Sequence, residues 1–426
     1  MTTLRLSPRD QAMLDGEHGA GTQAAMRILT RIAKIQGAEE LLDISHVHVG
    51  GSIYTGPGSL SVIEKLVELG AQVSVPTTLN AISVDQRRWE SQAVDPDFAE
   101  KAIRLAEGFK QLGASPIFSC TPYVFPSTPH RGDDIVWAES NAIVYANSVI
   151  GARTNRHGDF MDICAAITGR APKAGLHLTE NRRGTFLVEV PPLEHLDGSF
   201  YTALGYLVGK HAGDLVPVIT GIESIPTTEE LKALCASVAT SGPVGLVHVV
   251  GVTPEAPKLE EALGHREPIR TLTVTTDMLL TTAAGLSTGS GTPDLDLIVL
   301  GSPHFTLGDF ESLAKLTRGR IRHPRVDLIA TTSRFVLEQA TANGWVEDAQ
   351  SFGVRFSTDT CLCMLSPTLL PAGTQTVMTS SGKFAHYGPG LIRQNVFYGS
   401  LEDCIDSAVA GMPLTSKPAW AAPPSR

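Results

Sequence analysis

The stretch from Val354 to Cys363, V-R-F-S-T-D-T-C-L-C, combines a short strand pattern with two closely spaced thiols in a chain of 426 residues. The residues up to Ser357 have the hydrophobic and aromatic character of a β-strand. The polar loop that follows contains Cys361 and Cys363. In open α/β sheets, ligands bind beyond the carboxyl ends of the strands. The stretch therefore predicts a strand of an α/β domain that delivers two thiols to a functional site.

The rest of the chain repeats this alternation of strand, polar loop and helix. Such alternation is typical of mostly parallel sheets with helices packed on their faces. A turn-rich segment at 287–293, S-T-G-S-G-T-P, is the best boundary candidate. We expect three α/β domains and a disordered tail, divided as follows: 1–165 with an N-terminal helix, 166–290, 291–412 with the Cys361 loop, and the tail 413–426.

Composition excludes several classes of protein. The net charge of −10 disfavours a nucleic-acid partner, which would require a basic face. No segment approaches the roughly 18 apolar residues of a membrane span, and the N-terminus lacks a signal-peptide core. The six cysteines are widely scattered, unlike a disulfide framework. We expect a cytoplasmic enzyme with a small-molecule substrate and neither a nucleic acid nor a membrane as partner.

The cysteines fall into two groups. Those on predicted amphipathic helices (Cys164, Cys235 and Cys404) are expected in the hydrophobic core. Cys120, Cys361 and Cys363 instead follow predicted strands. Thiolates from distant loops can bind an iron–sulfur cluster, although C-x-C is not a standard cluster motif. A reactive thiol, or three buried cysteines, are the alternatives that the residues alone leave open.

Other polar residues at predicted strand ends suggest further site candidates. Ser302 lies in G-S-P-H-F, but G-x-S-x-G is absent, which argues against a hydrolase. Lys383, in S-G-K, is a candidate carboxylate partner or general base, or else a surface lysine. On the helix predicted for 134–149, Ser140 and Asn147 share a face, which indicates either a solvent face or the lining of a wet cleft.

Several of these motifs together resemble the large, catalytic subunit of the aconitase X family. They keep the family's order along most of the chain: H-V-G-G-S-I-Y (48–54), V-P-T-T-L-N (75–80), C-T-P-Y (120–123), A-E-S-N-A-I-V-Y-A-N-S-V-I-G-A-R-T-N-R (138–156), G-L-H-L-T-E-N-R (175–182), G-S-P-H-F (301–305), T-D-T-C (358–361) and S-G-K (381–383).

The resemblance implies an aconitase-like fold, with three α/β domains and mostly parallel sheets around a central cleft. It also implies an iron–sulfur cluster that acts as a Lewis acid. The cysteines of the archaeal branch match Cys120, the position of Ser302, and Cys361. Because serine occupies 302, Cys363 is expected to replace the missing ligand, and a 2Fe-2S cluster is favoured. Family members also have a small swivelling domain, which predicts a heterodimer with a separate small subunit.

The resemblance further implies a dehydratase. The expected reaction removes water from cis-3-hydroxy-L-proline and gives Δ1-pyrroline-2-carboxylate, with mevalonate 5-phosphate dehydration, or a non-catalytic binding or scaffold subunit, as alternatives. Glu139 and Lys383 are the candidate bases, with a residue of the small subunit as the alternative, and Ser302 is a third catalytic candidate. The residues expected to hold the substrate are Ser52, Thr78, Asn80, Tyr123, Ser140, Asn147 and His304.

Overall fold

The computed structural model describes residues 3–92, 94–362, 370–371 and 373–422. The first domain contains a three-stranded parallel sheet in the order β3-β2-β4 and a separate antiparallel pair, β1-β5. Its elements are α1 (Pro8–Asp15), α2 (Ala20–Ile35), β1 (Leu41–Asp43), β2 (Val47–Val49), α3 (Pro57–Glu68), β3 (Thr77–Leu79), α4 (Pro96–Gln111), β4 (Val136–Trp137), α5 (Ser140–Tyr145), a π-helical turn (Ala146–Ile150), α6 (Met161–Thr168) and β5 (Arg170–Pro172).

Two predicted helices of this domain differ from the structure. The predicted N-terminal helix is divided into α1 and α2, because Gly16 and Gly19 both adopt φ of 93°, which favours glycine. The helix predicted from 134 begins only at Ser140, since Val136 and Trp137 form strand β4 in the buried sheet.

The second domain has a four-stranded parallel sheet in the order β8-β7-β6-β9. Helix α8 begins with a capping box in which Thr227 and Glu230 bond each other's backbone N–H groups. The elements are β6 (Phe186–Glu189), α7 (Gly198–Ala212), β7 (Pro217–Thr220), α8 (Thr228–Ser241), β8 (His248–Val249), α9 (Leu259–Ala262), β9 (Arg270–Thr273) and α10 (Thr276–Ala284).

The third domain has a five-stranded parallel sheet in the order β12-β11-β10-β13-β14. Its central strand, β10, is buried along its whole length, as expected for a parallel strand covered on both faces. The elements are β10 (Leu297–Phe305), α11 (Leu307–Thr317), β11 (Asp327–Thr332), α12 (Arg334–Ala342), α13 (Trp345–Phe352), β12 (Val354–Ser357), β13 (Thr376–Thr379), α14 (Gly382–Ile392), β14 (Asn395–Tyr398) and α15 (Leu401–Ala410).

The chain beyond α15 packs against the second domain. The sequence predicts disorder from 413 onward, whereas the structure buries Trp420 completely and places its ring against Phe200. The indole N–H of Trp420 donates to the Ser199 hydroxyl at 2.9 Å. Burial of a large aromatic ring outweighs the proline-rich composition of this segment.

The predicted α/β fold with mostly parallel sheets is confirmed. The three sheets with more than two strands are all parallel, and helices cover their faces. Among the helices of the described residues, none has the length and apolar character needed to cross a membrane.

Candidate active site and metal centre

Loops from the first and third domains meet at the carboxyl ends of their sheets. The loop after β3 pairs with the loop after β12 through a bridge between Ile82 and Thr360. The Ile82 N–H donates to the Asp359 carbonyl at 2.7 Å. The buried Asp85 carboxylate accepts the Thr358 N–H at 3.0 Å. These bonds fix the Cys361 loop against the first domain.

Asp359 reinforces this junction. Its φ of 67° lies in the left-handed region, which aspartate tolerates better than most residues. The carboxylate accepts hydrogen bonds from the Gln86 N–H at 3.2 Å and from the Arg334 guanidinium. The turn that precedes Cys361 is therefore held by one residue of the first domain and one of the third.

Two of the three predicted metal ligands lie together. The Sγ atoms of Cys120 and Cys361 and one ring nitrogen of His304 lie within 4.8 Å of one another, and all three residues are buried. The backbone N–H of His304 donates to Cys120 Sγ at 3.2 Å. Cys363, the third predicted ligand, lies outside the described residues.

Ser302 lies beside this group. The Cys361 thiol donates to the Ser302 hydroxyl at 3.8 Å, and the Ser302 carbonyl accepts a bond from Ser381. Gly301 has φ of 90°, and a Cβ there would lie 2.3 Å from the Thr331 carbonyl oxygen. Only glycine therefore allows the close approach of β10 and β11 that directs Ser302 and His304 toward the cysteines.

Glu139 and Lys383 form a second cluster. The Lys383 ammonium donates to Glu139 Oε1 at 2.6 Å, and both side chains are nearly buried. The Asn80 amide donates to Glu139 Oε2 at 2.9 Å, and the Ser140 hydroxyl lies 3.4 Å from Oε1. Three predicted site residues thus surround the carboxylate of a fourth, Glu139.

Asn141 connects the two clusters, and the sequence reasoning missed it. Its amide donates to Glu139 Oε1 at 2.8 Å and to the Cys120 carbonyl at 3.0 Å. Its Oδ1 accepts a hydrogen bond from the Tyr123 hydroxyl at 3.0 Å. Tyr123, predicted to hold the substrate, therefore contacts this bridging amide. The available signal was its position between Ser140 and the apolar residues of α5.

Other predicted substrate residues are engaged in bonds within the protein. The Ser52 hydroxyl bonds the carbonyls of Asn80 and Ala81, both at 3.2 Å. Thr78 Oγ1 lies 2.9 Å from His48 Nδ1.

Asn147 bonds Thr154, Gly245 and Arg182 rather than the groups around Glu139. Asn147 was predicted to share a helix face with Ser140 because a regular α-helix was assumed. The π-helical turn over 146–150 changes that periodicity.

Burial sets the protonation of His304, whereas the charge of Lys383 and hydrogen bonds set that of Glu139. Burial lowers the pKa of His304 to about 4, so this imidazole is neutral near pH 7. Burial acts to raise the pKa of Glu139, but the Lys383 charge and the hydrogen bonds from Lys383, Asn141 and Asn80 outweigh it and lower that pKa to about 2. The site therefore contains a neutral imidazole and an ionised acid–lysine pair.

A cavity of about 570 Å³ lies between the second and third domains. Ser302 and Lys383 lie on its wall, so it opens onto the site. Its other lining residues include six acids and one further lysine: Asp197, Glu229, Glu230, Asp309, Glu311, Glu402 and Lys232.

Comparisons with known proteins agree along nearly the whole chain. Family models described as the aconitase X first, second and third domains match residues 3–180, 184–284 and 295–410. A cis-3-hydroxy-L-proline dehydratase of Pseudomonas aeruginosa is 49% identical over 98% of this chain and 72% of its own length. The large subunit of phosphomevalonate dehydratase of Methanothermobacter thermautotrophicus is 38% identical over 92% of this chain and 96% of its own.

A solved structure gives the same result. The chain superposes on the holo-form of aconitase X from Thermococcus kodakaraensis with a TM-score of 0.85 and 33% identity. The superposition covers 95% of this chain and 100% of the other.

Proposed function

This chain belongs to the aconitase X family, and we propose that it is the catalytic chain of a hydro-lyase that removes water from cis-3-hydroxy-L-proline. The observation that carries the proposal is the pairing of two clusters through Asn141: the buried Cys120–His304–Cys361 group on one side and the Glu139–Lys383 pair on the other. The substrate follows from the hydroxyproline dehydratase relative, which is 49% identical.

The residues fit an iron–sulfur cluster. Two buried thiols are soft ligands of the kind that such clusters require. His304 adds a buried ring nitrogen, Nδ1, with no hydrogen-bond partner in the described structure. Cys120 and Cys361 would hold the group, and when bound it supplies Lewis acidity at the departing 3-hydroxyl.

Lys383 is suited to binding the substrate carboxylate. An ammonium beside that carboxylate stabilises the charge that develops when the α-proton is removed. Glu139 is proposed as the base that accepts this proton. A pKa of about 2 makes it a weak base in the resting site. When the substrate carboxylate binds Lys383, the ammonium interacts less with Glu139 and lowers the pKa of Glu139 less. The Glu139 carboxylate therefore becomes more basic when the substrate binds.

The products follow from this chemistry. The Cα–H bond breaks as its proton passes to Glu139, and the C3–O bond breaks as hydroxide leaves. The hydroxide takes up one proton and is released as water, and Glu139 gives up the proton it accepted, which restores the carboxylate. The remaining enamine tautomerises to the cyclic imine Δ1-pyrroline-2-carboxylate.

Replacing Glu139 by Gln is expected to lower turnover by a factor of about 10²–10⁴, the usual contribution of a positioned base.

The charge of the cavity favours the amino acid over the phosphorylated substrate. Among the described residues, its lining has six acids and two lysines, and each lysine is paired: Lys383 with Glu139, and Lys232 with Asp309. A phosphate group would require uncompensated cations. Mevalonate 5-phosphate remains the second candidate because relatives with that activity are up to 38% identical to this chain.

A small swivel-domain subunit is proposed as the partner. A relative that this chain covers over 96% of its length is named a large subunit, which implies a small subunit beside it in the family. The partner would cover the site and exclude water during the reaction. A reducing, cytoplasmic location would keep Cys120 and Cys361 available for iron.

A substrate panel tests the function. The chain would be purified without oxygen, together with a co-expressed small subunit of roughly 130–150 residues, the size of a typical domain. NMR would follow cis-3-hydroxy-L-proline and mevalonate 5-phosphate in parallel. We expect turnover of the first alone. Turnover of the phosphate ester would overturn the substrate assignment, and iron-loaded protein inactive on both would support a scaffold role.

A further inference from the structure

His304 is held in one tautomer by its surroundings. It lies at the carboxyl end of β10 and is completely buried. Its Nε2 lies 2.8 Å from the Thr360 carbonyl oxygen. A carbonyl can only accept, so Nε2 must carry the proton in the neutral ring. The lone pair therefore resides on Nδ1.

This lone pair has no partner within the described part of the chain. Nδ1 is buried and accepts no hydrogen bond from any described group. Buried polar atoms are almost always paired, so an orphaned acceptor in a native structure requires an explanation. A metal-ligating histidine shows this same arrangement: one nitrogen on the metal and the other donating to a carbonyl.

His248 provides a comparison within the same chain. It too is buried, with Nε2 2.7 Å from a carbonyl and an unpartnered Nδ1. It belongs to no cluster of potential metal ligands among the described residues, whereas His304 does, with Cys120 and Cys361. An orphaned nitrogen alone therefore does not identify a ligand. The two adjacent thiols distinguish His304.

We propose that His304 Nδ1 is the third protein ligand of the iron group held by Cys120 and Cys361. This inference rests on the iron site of the proposed function. It assigns His304 to the metal rather than to the substrate, the role for which the sequence suggested it. The site then has two thiolates and one imidazole in place of three thiolates.

Two other residues compete with His304 as the third ligand. Cys363, the ligand expected from the sequence, lies outside the described residues, and Ser302 occupies the position where the archaeal pattern has cysteine. Its hydroxyl is a hard donor that must lose a proton to bind iron strongly, whereas His304 already offers a neutral lone pair. The Ser302 hydroxyl also accepts the Cys361 thiol at 3.8 Å. It is therefore placed to hydrogen-bond to a ligand sulfur instead.

The substitution has an electronic consequence. Replacing a thiolate by a neutral imidazole removes one negative charge from the ligand set. In iron–sulfur centres this exchange raises the reduction potential. A less electron-rich iron is also a stronger Lewis acid toward a departing hydroxyl.

The test combines iron retention with a direct probe of nitrogen. The chain, produced with ¹⁵N-histidine, would be reconstituted with iron and sulfide without oxygen and passed over a desalting column. Iron per chain would be measured, and the reduced protein examined by pulsed EPR. The variants would be His304→Ala, His304→Cys and Ser302→Ala, with His248→Ala as the matched control.

We expect a strong ¹⁵N coupling in the wild type, in Ser302→Ala and in the His248→Ala control. His304→Ala should bind iron at least tenfold more weakly, because even mutation of residues that only hydrogen-bond to the ligands lowers metal affinity by about 10–100-fold. His304→Cys should retain iron and lose the coupling. Iron-loaded wild type without nitrogen coupling, or His304→Ala with normal iron retention, would overturn this inference alone. A wild type that binds no iron would overturn it together with the iron site of the proposed function.

Discussion

Glu139 and Lys383 stabilise each other at a position where neither charge is stable alone. Both side chains are nearly buried, and their closest atoms are 2.6 Å apart. Removing one partner of a buried pair leaves an uncompensated charge and typically costs 3–5 kcal/mol. The pair is therefore the most sensitive point of the site at the scale of single residues.

Replacing Lys383 by Met should destabilise the chain by about 3–5 kcal/mol at pH 7. In the wild type the pKa of Glu139 is about 2, below its usual 4.5, so its stabilisation is complete above pH 4.5 and is lost as the pH falls toward 2. In the variant, burial opposed only by hydrogen bonds should raise this pKa above 4.5, so stability should fall as the pH rises. Urea unfolding of both proteins at several values between pH 4 and pH 7 measures the difference.

Two controls accompany this variant. Glu139→Gln combined with Lys383→Met should recover most of the loss and remove its pH dependence. Lys101→Met, which breaks an exposed pair with Asp97, should leave the free energy of unfolding nearly unchanged, because water screens the charges of an exposed pair. An equal loss for Lys383→Met at pH 4 and pH 7 would contradict the assigned protonation.

Residue chemistry determined how much of the site could be predicted. Cys120 and Cys361 stood out because thiols at strand ends are rare, and the structure places them together. Asn141 did not stand out, since only the folded chain shows that one amide joins Glu139 to the Cys120 backbone. Thr78 was predicted as a substrate residue because it is polar, but its hydroxyl contacts His48. The sequence does not show such a bond, because the two residues are neighbours only in the folded chain.

At the scale of elements, a loop of the first domain positions the cysteine loop of the third. Asp85 accepts the Thr358 N–H, three residues before Cys361. Without this carboxylate a buried N–H has no acceptor, which costs about 1–3 kcal/mol. The geometry of the ligand loop therefore depends on a side chain that does not contact the metal group.

Replacing Asp85 by Ala should loosen the cysteine loop. We expect a loss of about 1–3 kcal/mol in the free energy of unfolding and at least a tenfold weaker retention of iron, as for other outer contacts of metal sites. Iron per chain after dialysis against a chelator checks this. Asp97→Ala, at an exposed helix start, is the control. Normal iron retention in Asp85→Ala would show that the loop is held by other contacts.

Strand and helix patterns predicted most elements but not their interruptions. Strand β12 agrees with the strand predicted to end at Ser357, because its hydrophobic pattern is regular. The π-helical turn at 146–150 was not predictable, since its residues read as ordinary helix. It matters because it changes which side chains of that segment share a face.

At the scale of the molecule, an iron group would cross-link two domains. Cys120 belongs to the first domain, where an isolated bridge joins Ser115 to Thr78, and Cys361 follows strand β12 of the third domain. Ligands that bind only the folded state stabilise it, by about 2.7 kcal/mol at a hundredfold excess over the dissociation constant. Thermal unfolding should therefore begin at a higher temperature in iron-loaded than in iron-free protein.

Scanning calorimetry of the two forms measures this shift. In Cys120→Ala the shift should disappear, because one domain no longer contributes a ligand. Cys164→Ala, which removes a buried thiol of the first domain's core, should lower both melting temperatures yet keep their difference. A shift that persists in Cys120→Ala would place the iron elsewhere.

The proposal that an iron group at Cys120 and Cys361 is required for dehydration is tested most directly by one measurement. This is the rate of cis-3-hydroxy-L-proline dehydration as a function of iron bound per chain. Protein would be loaded with iron and sulfide in steps, without oxygen and with the small subunit present. The rate should rise in proportion to the bound iron in the wild type and stay at background in Cys361→Ala. An iron-free wild type that turns over at the full rate, or a loaded one that does not turn over, would contradict the claim.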